Sequence, residues 1–335
     1  MSARESIIPV FVPHLGCPND CVFCNQRRIS GSLTPAKPED AASAIERALS
    51  LTPPGTRRQL AFYGGSFTAI PAHEQEALLA AARPYLERGD IASIRLSTRP
   101  DAIDGAVLAR LKRYGVETVE LGAQSMSERV LALSGRGHTA EDVREASGMV
   151  KAAGFRLILQ MMTGLPGSDD KSDLASAREI AALGPDGVRI YPTVIVRDTA
   201  LYDLWKAGRY KEHTVEDAVR VCARIVPIFE AAGIPIIRMG LNPTEDLSGG
   251  DAAGGAYHPA LGELVRARIM RGKAEALLEG TEPGAEVTLR VNPRLMSQLV
   301  GQHGENRKYL TEKFALGRLR IVPDASAAGL DLTKI

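Results

Sequence analysis

The sequence contains few aromatic residues, few cysteines and almost no net charge. Phe, Trp and Tyr make up 5% of the 335 residues, and the formal net charge is +1. A near-neutral chain has no overall field that would attract nucleic acid or anionic lipid, so any such contact must come from a local patch. The longest apolar run near the start, Ile7 to Val12, is too short for a membrane span and has no basic segment before it. We therefore expect a cytoplasmic globular protein without a membrane partner.

The four cysteines are unevenly distributed. Cys17, Cys21 and Cys24 lie close together, whereas Cys222 stands alone. In a cytoplasmic chain, such a cluster favours a metal or redox site over a disulfide framework. Cys222 lies in the segment 215–232, where apolar residues recur at helical spacing, so it is predicted to be a buried core residue.

From residue 7 to about 240, short apolar runs alternate with amphipathic segments, which indicates repeated βα units around a parallel sheet. The predicted strands are residues 7–12, 59–63, 93–98, 118–122, 155–162 and 187–191, with 236–239 as a further candidate. The predicted helices are residues 38–51, 74–86, 102–114, 139–153 and 174–183. The strands run into loops rich in Gly, Pro, Cys, Ser, Thr or Gln. Loops at the carboxyl ends of parallel strands build the site in such folds, although βα turns without function also favour Gly and Pro.

From about residue 284 the pattern changes to strand, helix, the turn Gly301-Gln302-His303-Gly304, helix and strand. A Gly-x-x-Gly turn between two helices resembles the core of the KH module, in which glycines let the main chain approach RNA phosphates closely. Residues 261–320 contain eleven Lys or Arg against seven Asp or Glu. We expect a small α+β, KH-like domain that contacts RNA through this turn and the cations Arg294, Arg307 and Lys308. A structural cap without RNA stays open as the alternative.

The pattern Cys17-x3-Cys21-x2-Cys24 places three thiolates in one loop after the first predicted strand. Three cysteine ligands suit a [4Fe–4S] cluster, whose fourth iron is then open to a substrate or cofactor. A structural zinc site would need a fourth ligand, for which His14 is the nearest candidate. The cluster is our main interpretation, and zinc remains the alternative.

The cysteine spacing, with Phe23 immediately before Cys24, resembles the CxxxCxxC signature of the radical S-adenosylmethionine (SAM) superfamily. The resemblance implies an α/β fold with a partial (β/α)6 barrel, a [4Fe–4S] cluster on the three cysteines, and reductive cleavage of SAM to a 5′-deoxyadenosyl radical. It also implies an electron donor such as flavodoxin or ferredoxin. The SAM-contacting residues that it implies are Gly64, Gly65, Ser66, Phe67, Ser97, Arg99, Gln124, Ser125 and Gln160. Ser66 departs from the acidic residue of the family motif, and no residue that acts on the substrate is identified.

Longer segments, including LSTRPDAID, VELGAQSM, MMTGLPGSDD and YHPALGELV, resemble the radical SAM half of the catalytic subunit of Elongator over roughly residues 10–265. That enzyme modifies the wobble uridine of transfer RNA. It also has an acetyltransferase domain, for which this chain has no room, and this departure argues against carboxymethylation from acetyl-CoA. Weaker similarity in GAQS, GRGHT and GLPG extends to oxygen-independent coproporphyrinogen oxidase.

These observations predict three regions: residues 1–245 as a radical SAM barrel, 246–283 as a linker with a helical extension, and 284–335 as the KH-like domain. The predicted function is a radical SAM enzyme that modifies a nucleotide of tRNA or rRNA. Two alternatives remain. One is a radical SAM enzyme acting on a small metabolite or porphyrin, and the other is a metal-stabilised RNA-binding protein without catalysis.

Overall fold

The computed structural model of the chain describes residues 5–12, 17, 21–25, 36–241, 250–328 and 330–334. The chain divides into two compact units. The first comprises residues 1–213 and 228–257, and the second comprises residues 214–227 and 258–335. His14, the alternative zinc ligand, lies outside the described residues.

The first unit is built on a parallel sheet. Its strands are β1 (Glu5–Val12), β2 (Arg57–Gly64), β3 (Ser93–Thr98), β4 (Val116–Gln124), β5 (Arg156–Thr163), β6 (Gly187–Pro192), β7 (Val194–Val196), β8 (Ile236–Met239) and β9 (Ala252–Gly255). The strands β1 to β6 and β8 form one seven-stranded sheet in chain order, and every neighbouring pair is parallel. This sheet curls into a half-barrel, which confirms the predicted partial radical SAM barrel. The short strands β7 and β9 pair separately and antiparallel.

Helices connect the strands of the sheet. They are α1 (Pro38–Leu51), α2 (Ala72–Glu87), α3 (Gly105–Arg113), α4 (Glu128–Leu133), α5 (Ala140–Ala152), α6 (Asp170–Ala182), α7 (Ala200–Lys206) and α8 (Val215–Ala231). Two helices begin at other residues than predicted, at 105 instead of 102 and at 170 instead of 174, because a capping side chain precedes each. Asp104 accepts a hydrogen bond from the amide of Val107, and Asp169 accepts one from the amide of Ser172, so each aspartate satisfies a free N–H of the first turn. The short helices α4 and α7 were not predicted.

Successive residues of a strand face opposite sides of the sheet, and here the two sides differ in polarity. Leu96, Leu121 and Leu159 are completely buried, whereas the residues beside them in the chain include Arg95 and Glu120. The three leucines belong to the apolar core. Arg95 and Glu120 lie on the other side of the sheet and are buried charges within the first unit. Cys222 is fully buried in α8, as predicted.

The second unit has its own mixed sheet and core. Its remaining elements are α9 (Leu261–Leu278), β10 (Glu286–Val291), α10 (Met296–Val300), α11 (Glu305–Lys313), β11 (Arg318–Pro323) and β12 (Leu330–Lys334). The central strand β10 is parallel to β11 and antiparallel to β12. The predicted order of strand, helix, glycine turn, helix and strand is present, and β12 is an additional strand. No helix within the described ranges is long and apolar enough to cross a membrane.

The helix α9 belongs to the second unit because it supplies part of that unit's core. Met270, Ala274 and Leu278 pack with Val287 and Leu289 of β10. The predicted linker, residues 246–283, therefore contains a helix whose apolar residues are buried against the terminal sheet. Periodicity within the helix could not show against which sheet it packs.

Candidate functional site

The three clustered cysteines follow the carboxyl end of β1, and none of them forms a disulfide. The sulfur of Cys17 lies 3.3 Å from the hydroxyl oxygen of Ser66. The sulfur of Cys21 accepts a hydrogen bond of 3.4 Å from Nη1 of Arg136. The loops after β1 and β2 and the segment between α4 and α5 therefore meet at these sulfurs.

Residues 21–25 of the cysteine loop are attached to the end of α4 and to the start of α7. The amide of Val22 donates to the carbonyl of Ser134 at 3.1 Å, and its carbonyl accepts from the amide of Leu201 at 2.7 Å. The ring of Phe23 packs against the small apolar cluster that contains Leu201 and Tyr210. These contacts fix the backbone between Cys21 and Cys24 without using either sulfur.

The turn after β2 brings the main chain close to the end of β1. Gly64 has a φ of +103°, and the amide of Gly65 donates to the carbonyl of Val12 at 2.7 Å. A Cβ atom at Gly64 would lie 3.4 Å from that carbonyl oxygen. The positive φ favours glycine here. Ser66 and Phe67 are buried immediately after the turn, with the Ser66 hydroxyl on the cysteine loop.

Arg99 follows β3 and is 2% exposed. Its Nε and Nη2 bind the carboxylate of Asp101 at 2.9 and 2.8 Å, and Nη2 also donates to the carbonyl of Arg136 at 2.6 Å. Its Nη1 is buried and has no hydrogen-bond partner among the residues that the structure describes. Burial disfavours the charge of Arg99, but Asp101 and the sulfurs of Cys21 and Cys17 offset this effect, so its pKa is raised. Arg99 therefore remains a cation with one unused donor near the cysteines.

The end of β4 carries two of the predicted residues in different environments. Gln124 has a φ of +63° and is 8% exposed, beside Gly122 at a bulge in the sheet. Ser125 is buried, and its hydroxyl lies 3.2 Å from that of Ser176 on α6 and accepts from the amide of Ser127. The hydroxyl of Ser125 thus joins α6 to the loop after β4.

A buried charge cluster occupies the polar side of the sheet. Glu120 is completely buried, and its carboxylate binds Arg189 at 2.9 and 3.1 Å and Arg95 at 3.2 Å. It also accepts hydrogen bonds of 3.1 Å from the hydroxyl of Tyr63 and from the amide of Gln160. Burial, and then the charge of Glu120, raises the pKa of Tyr63 to about 12, so the phenol stays protonated. One carboxylate therefore links five adjacent strands, β2 to β6.

Ser97 and Gln160, two predicted SAM contacts, lie beside this cluster. Ser97 is half-buried and is paired with Glu120 in the register of β3 and β4. The amide nitrogen of Gln160 is used by Glu120, so its carbonyl oxygen is the group that a ligand could contact. Their assignment to SAM stays a prediction, as it does for Gly64 to Phe67, Arg99, Gln124 and Ser125.

Sequence reasoning did not assign roles to Arg136 and His138 of the GRGHT segment. Arg136 is 8% exposed and connects Cys21 with the carbonyl of Gly122. Nε2 of His138 lies 3.2 Å from the carbonyl oxygen of Ala123, and burial lowers the pKa of His138 to about 4. The imidazole is therefore neutral at neutral pH and donates to Ala123. These two residues are identified by their burial beside the cysteine loop. Burial cannot be read from the sequence, so sequence reasoning could not find them.

The last residue of β5 and the loop after it, residues 163–167, are held by three side chains. The carboxylate of Asp173 on α6 accepts from the amide of Gly164 at 3.0 Å, and the hydroxyl of Tyr210 donates to the carbonyl of Gly164 at 2.6 Å. Nε2 of His213 lies 3.1 Å from the hydroxyl of Thr163. Gly164 has a φ of +73°, and a Cβ atom there would collide with the His213 ring. Asp173 is 3% exposed, and its burial raises its pKa to about 7.

Asp173→Asn is expected to flatten the dependence of stability on pH. The folded-state pKa of Asp173 is raised from 3.8 to about 7, so its stabilising contribution is complete below the unfolded pKa and is lost as the pH rises through the folded pKa. The slope reaches at most ~1.4 kcal/mol per pH unit. The asparagine oxygen can still accept from the Gly164 amide. The free energy of unfolding of cluster-free protein in urea, followed by the fluorescence of the single Trp205, measures the effect between about pH 5 and about pH 8.

The matched control is Asp142→Asn, which makes the same chemical change at a half-buried carboxylate. The hydrogen bond from the Thr139 amide lowers the pKa of Asp142. Its contribution to stability is lost only below its unfolded pKa, so between about pH 5 and about pH 8 its removal lowers stability by a constant amount and leaves the slope unchanged. Parallel profiles for wild type and Asp173→Asn would contradict the assignment of Asp173.

The cysteine loop has the donor set of an iron–sulfur site. No group of three or more His, Cys, Asp or Glu side chains in the described ranges is already arranged to hold a metal ion. The fit rests instead on three cysteines outside any disulfide, the cationic donors Arg136 and Arg99 close to two of the sulfurs, and the buried unused Nη1 of Arg99. Cationic and N–H donors stabilise thiolates and the anionic groups that a cluster and SAM bring.

The comparison with known families decides the class of this site. The model described as the radical SAM superfamily matches residues 11–180, and the model described as the radical SAM C-terminal domain matches residues 185–271. The chain belongs to the radical SAM superfamily. The first match contains the cysteine loop, the Gly64–Gly65 turn, Arg99 and the loop after β5. It also contains the Glu120 cluster except Arg189, which lies in the second match.

Individual relatives are Elongator proteins. The chain is 32% identical to human Elongator complex protein 3 over 206 residues, which are 60% of this chain and 37% of the relative. It is 28% identical to the tRNA uridine(34) acetyltransferase of Methanocaldococcus jannaschii over 197 residues, which are 53% of this chain and 36% of the relative. The solved structure of Elp3 from Methanocaldococcus infernus aligns with a TM-score of 0.64 and 24% identity, over 82% of this chain and 64% of that chain. This chain therefore spans well under half the length of these curated relatives.

Radical SAM enzymes use a [4Fe–4S] cluster and SAM, as predicted for this chain. When bound, the cluster supplies the electron that cleaves SAM to methionine and a 5′-deoxyadenosyl radical. In this chain Cys17, Cys21 and Cys24 would hold the cluster. If Arg99 holds the SAM carboxylate, as predicted, it would do so through Nη1, because Asp101 and the carbonyl of Arg136 occupy Nε and Nη2.

Proposed function

We propose that this radical SAM enzyme modifies a nucleotide of RNA, either tRNA or rRNA. The observation that carries the proposal is the glycine turn Gly301–Gly304 in the second unit. Gly304 has a φ of +77° and open space where a Cβ atom would lie. Main chain with no side chain in front of it is what a phosphate needs for close approach.

The charges beside the turn support an anionic ligand. A cavity of about 370 Å³, which we call the cationic depression because its two cations exceed its one carboxylate, is lined by His303, Gly304, Arg307, Lys308, Thr311 and Glu312. The ion pair of Lys308 with Glu312 is exposed and 3.9 Å long, so it contributes little stability and Lys308 can exchange this partner for a phosphate at small cost. His303 has a φ of +52°, an uncommon conformation for a residue other than glycine. Arg294 precedes α10 and lines neither this depression nor the other cavity beside the turn.

The two glycines of the turn differ in what surrounds them. A Cβ atom at Gly301 would lie 3.0 Å from the backbone nitrogen of Asn306, so Gly301 is required for internal packing. Gly304 meets no described atom within 4 Å. A test of RNA binding should therefore change Gly304 and leave Gly301 intact.

The names of the relatives point to the same substrate class. One of them is named as a tRNA uridine(34) acetyltransferase, and the alignment with it includes only 36% of its length. We extend to this chain the RNA substrate and the radical chemistry, and not acetyl transfer. The electron donor, a flavodoxin or ferredoxin, remains a prediction.

Gly304→Asp is expected to weaken RNA binding about tenfold more than Gly304→Asn does, which equals about 1.4 kcal/mol. Asparagine and aspartate have the same shape and both tolerate a positive φ, so the pair differs only in a charge that repels phosphate. A filter-binding titration of tRNA and rRNA fragments at two salt concentrations measures the affinities. Wild-type binding should fall as salt rises, and SAM cleavage by dithionite-reduced enzyme should persist in both variants.

Two outcomes would contradict the proposal. Absence of RNA binding by wild type would favour a small metabolite or porphyrin as the substrate. RNA binding without any SAM cleavage would favour a metal-stabilised RNA-binding protein.

A further inference from the structure

A second cavity of about 470 Å³ lies on the opposite end of the glycine turn, and all of its lining residues belong to the second unit. It is enclosed by the first turns of α8, by α9 and by the start of α11, and Gly301 and Gln302 form part of its wall. It shares no lining residue with the cationic depression. We infer that this cavity binds the base of an unpaired nucleotide whose phosphate lies on the cationic depression. The inference rests on the proposed RNA substrate and adds a base-binding site to it.

The lining of the cavity suits a base better than a phosphate. Val219 and Leu264 supply apolar surface, and Gln302, Glu305 and Arg271 supply hydrogen-bonding groups. A nucleobase has this same division between apolar faces and a polar edge. The cavity contains two arginines and two glutamates and is formally neutral, whereas a phosphate site needs a cationic excess. Its volume lies within the range of pockets for small ligands.

Arg271 lines this cavity, and its side chain has a restricted orientation. Its Nε is buried and forms no hydrogen bond with any residue that the structure describes. Its guanidinium lies 4.4 Å from the ring centroid of Tyr309, which restricts its orientation. Because the buried Nε is closed to a ligand, the terminal nitrogens of this guanidinium are the groups that can donate to a carbonyl oxygen or ring nitrogen of a base. Every base offers such an acceptor.

The cavity is formed by tight helix packing and needs no rearrangement to exist. Asn306 is 4% exposed, and its side-chain amide donates to the carbonyl of Ala267 at 2.8 Å and to that of Gln298 at 3.1 Å. This one side chain joins α9, α10 and α11. The contact of Gly301 with Asn306 then fixes the glycine turn against the same helix start. A preformed pocket loses less conformational entropy when it binds a flexible strand.

The test compares two oligomers of equal length: single-stranded RNA, and the same ribose-phosphate chain without bases. Full-length wild type is expected to bind the base-bearing oligomer about tenfold more tightly, since one base contact contributes ~1–3 kcal/mol. Arg271→Gln, and Val219→Trp, which fills the cavity, should each remove most of this preference. Val219→Trp should leave the affinity for the abasic oligomer unchanged, and Arg271→Gln should lower it no more than Arg318→Gln does. Arg318→Gln is the control, because Arg318 is an exposed arginine on β11 outside the cavity; it should keep the preference.

The outcomes separate this inference from the proposed function. If wild type binds both oligomers equally, or if the cavity variants weaken both equally, the base site is wrong and RNA binding stands. If wild type binds neither oligomer, the RNA substrate itself is wrong. Circular dichroism of each variant identifies a folding defect, and Arg271→Gln provides the result if Val219→Trp does not fold.

Discussion

Cys21→Ala is expected to abolish the reductive cleavage of SAM by this protein. Loss of one of three thiolates leaves too few ligands for a [4Fe–4S] cluster with one open iron. Cys21 also accepts the hydrogen bond from Arg136, so its removal disconnects the loop from a buried cation. The measurement is 5′-deoxyadenosine formed under dithionite by anaerobically reconstituted protein. Wild type should contain about four irons per chain, and Cys17→Ala and Cys24→Ala should fail like Cys21→Ala.

Cys222→Ala is the matched control for these three variants. Cys222 is completely buried in the apolar core of α8 and lies far along the chain from the cysteine loop. Its replacement should cost about 1 kcal/mol of stability and leave the iron content and SAM cleavage intact. Full cleavage activity in Cys21→Ala, or equal losses in Cys21→Ala and Cys222→Ala, would contradict the cluster assignment.

Glu120→Ala is expected to lower the free energy of unfolding of the first unit by about 3–5 kcal/mol. Removal of this carboxylate leaves Arg95 and Arg189 buried together without a counter-charge and takes a partner from Tyr63. Unpaired charges inside a protein cost several kcal/mol, whereas the intact pair contributes little net stability. Urea unfolding of cluster-free protein, followed by Trp205 fluorescence, reports on this unit because Trp205 is the single tryptophan and lies within it.

Glu117→Ala provides the comparison on the same strand. Its ion pair with Arg57 is 3.4 Å long and about two-fifths exposed, so its loss should cost less than about 1 kcal/mol. Glu120→Gln should fall between the two, because the amide keeps the shape and one acceptor but lacks the charge. A cost for Glu120→Ala no larger than that for Glu117→Ala would show that the cluster does not stabilise the sheet.

The buried cluster also shows why a site can be recognised in a sequence while its contacts cannot. The alternation in SIRLST, TVELG and GVRIY predicted three strands, and each strand contains one residue of the cluster. Glu120 and Arg189 are 69 residues apart, and Arg136 and Cys21 are 115 apart. Which side chains of neighbouring strands meet depends on the lateral register, and one residue of slip would move every side chain to the other face.

The limits of the two compact units also depend on contacts between distant parts of the chain. The sequence predicted boundaries near residues 245 and 283 from changes in composition and rhythm, whereas the compact units place residues 214–227 and all of α9 with the terminal sheet. An amphipathic helix shows that it has an apolar face, but its own residues do not specify the partner of that face.

The sequence by itself determined the features that depend on near neighbours in the chain. These are the βα alternation, the three-cysteine loop of a radical SAM enzyme, and the glycine turn between two helices, because periodicity, ligand spacing and a positive φ are local properties. Only the tertiary structure decided that Arg136 contacts Cys21, that Arg99 donates to the carbonyl of Arg136, and that Asn306 joins α11 to α9. Those outcomes depend on which distant segments become adjacent, and burial then determines which polar atoms have partners and which are left for a ligand.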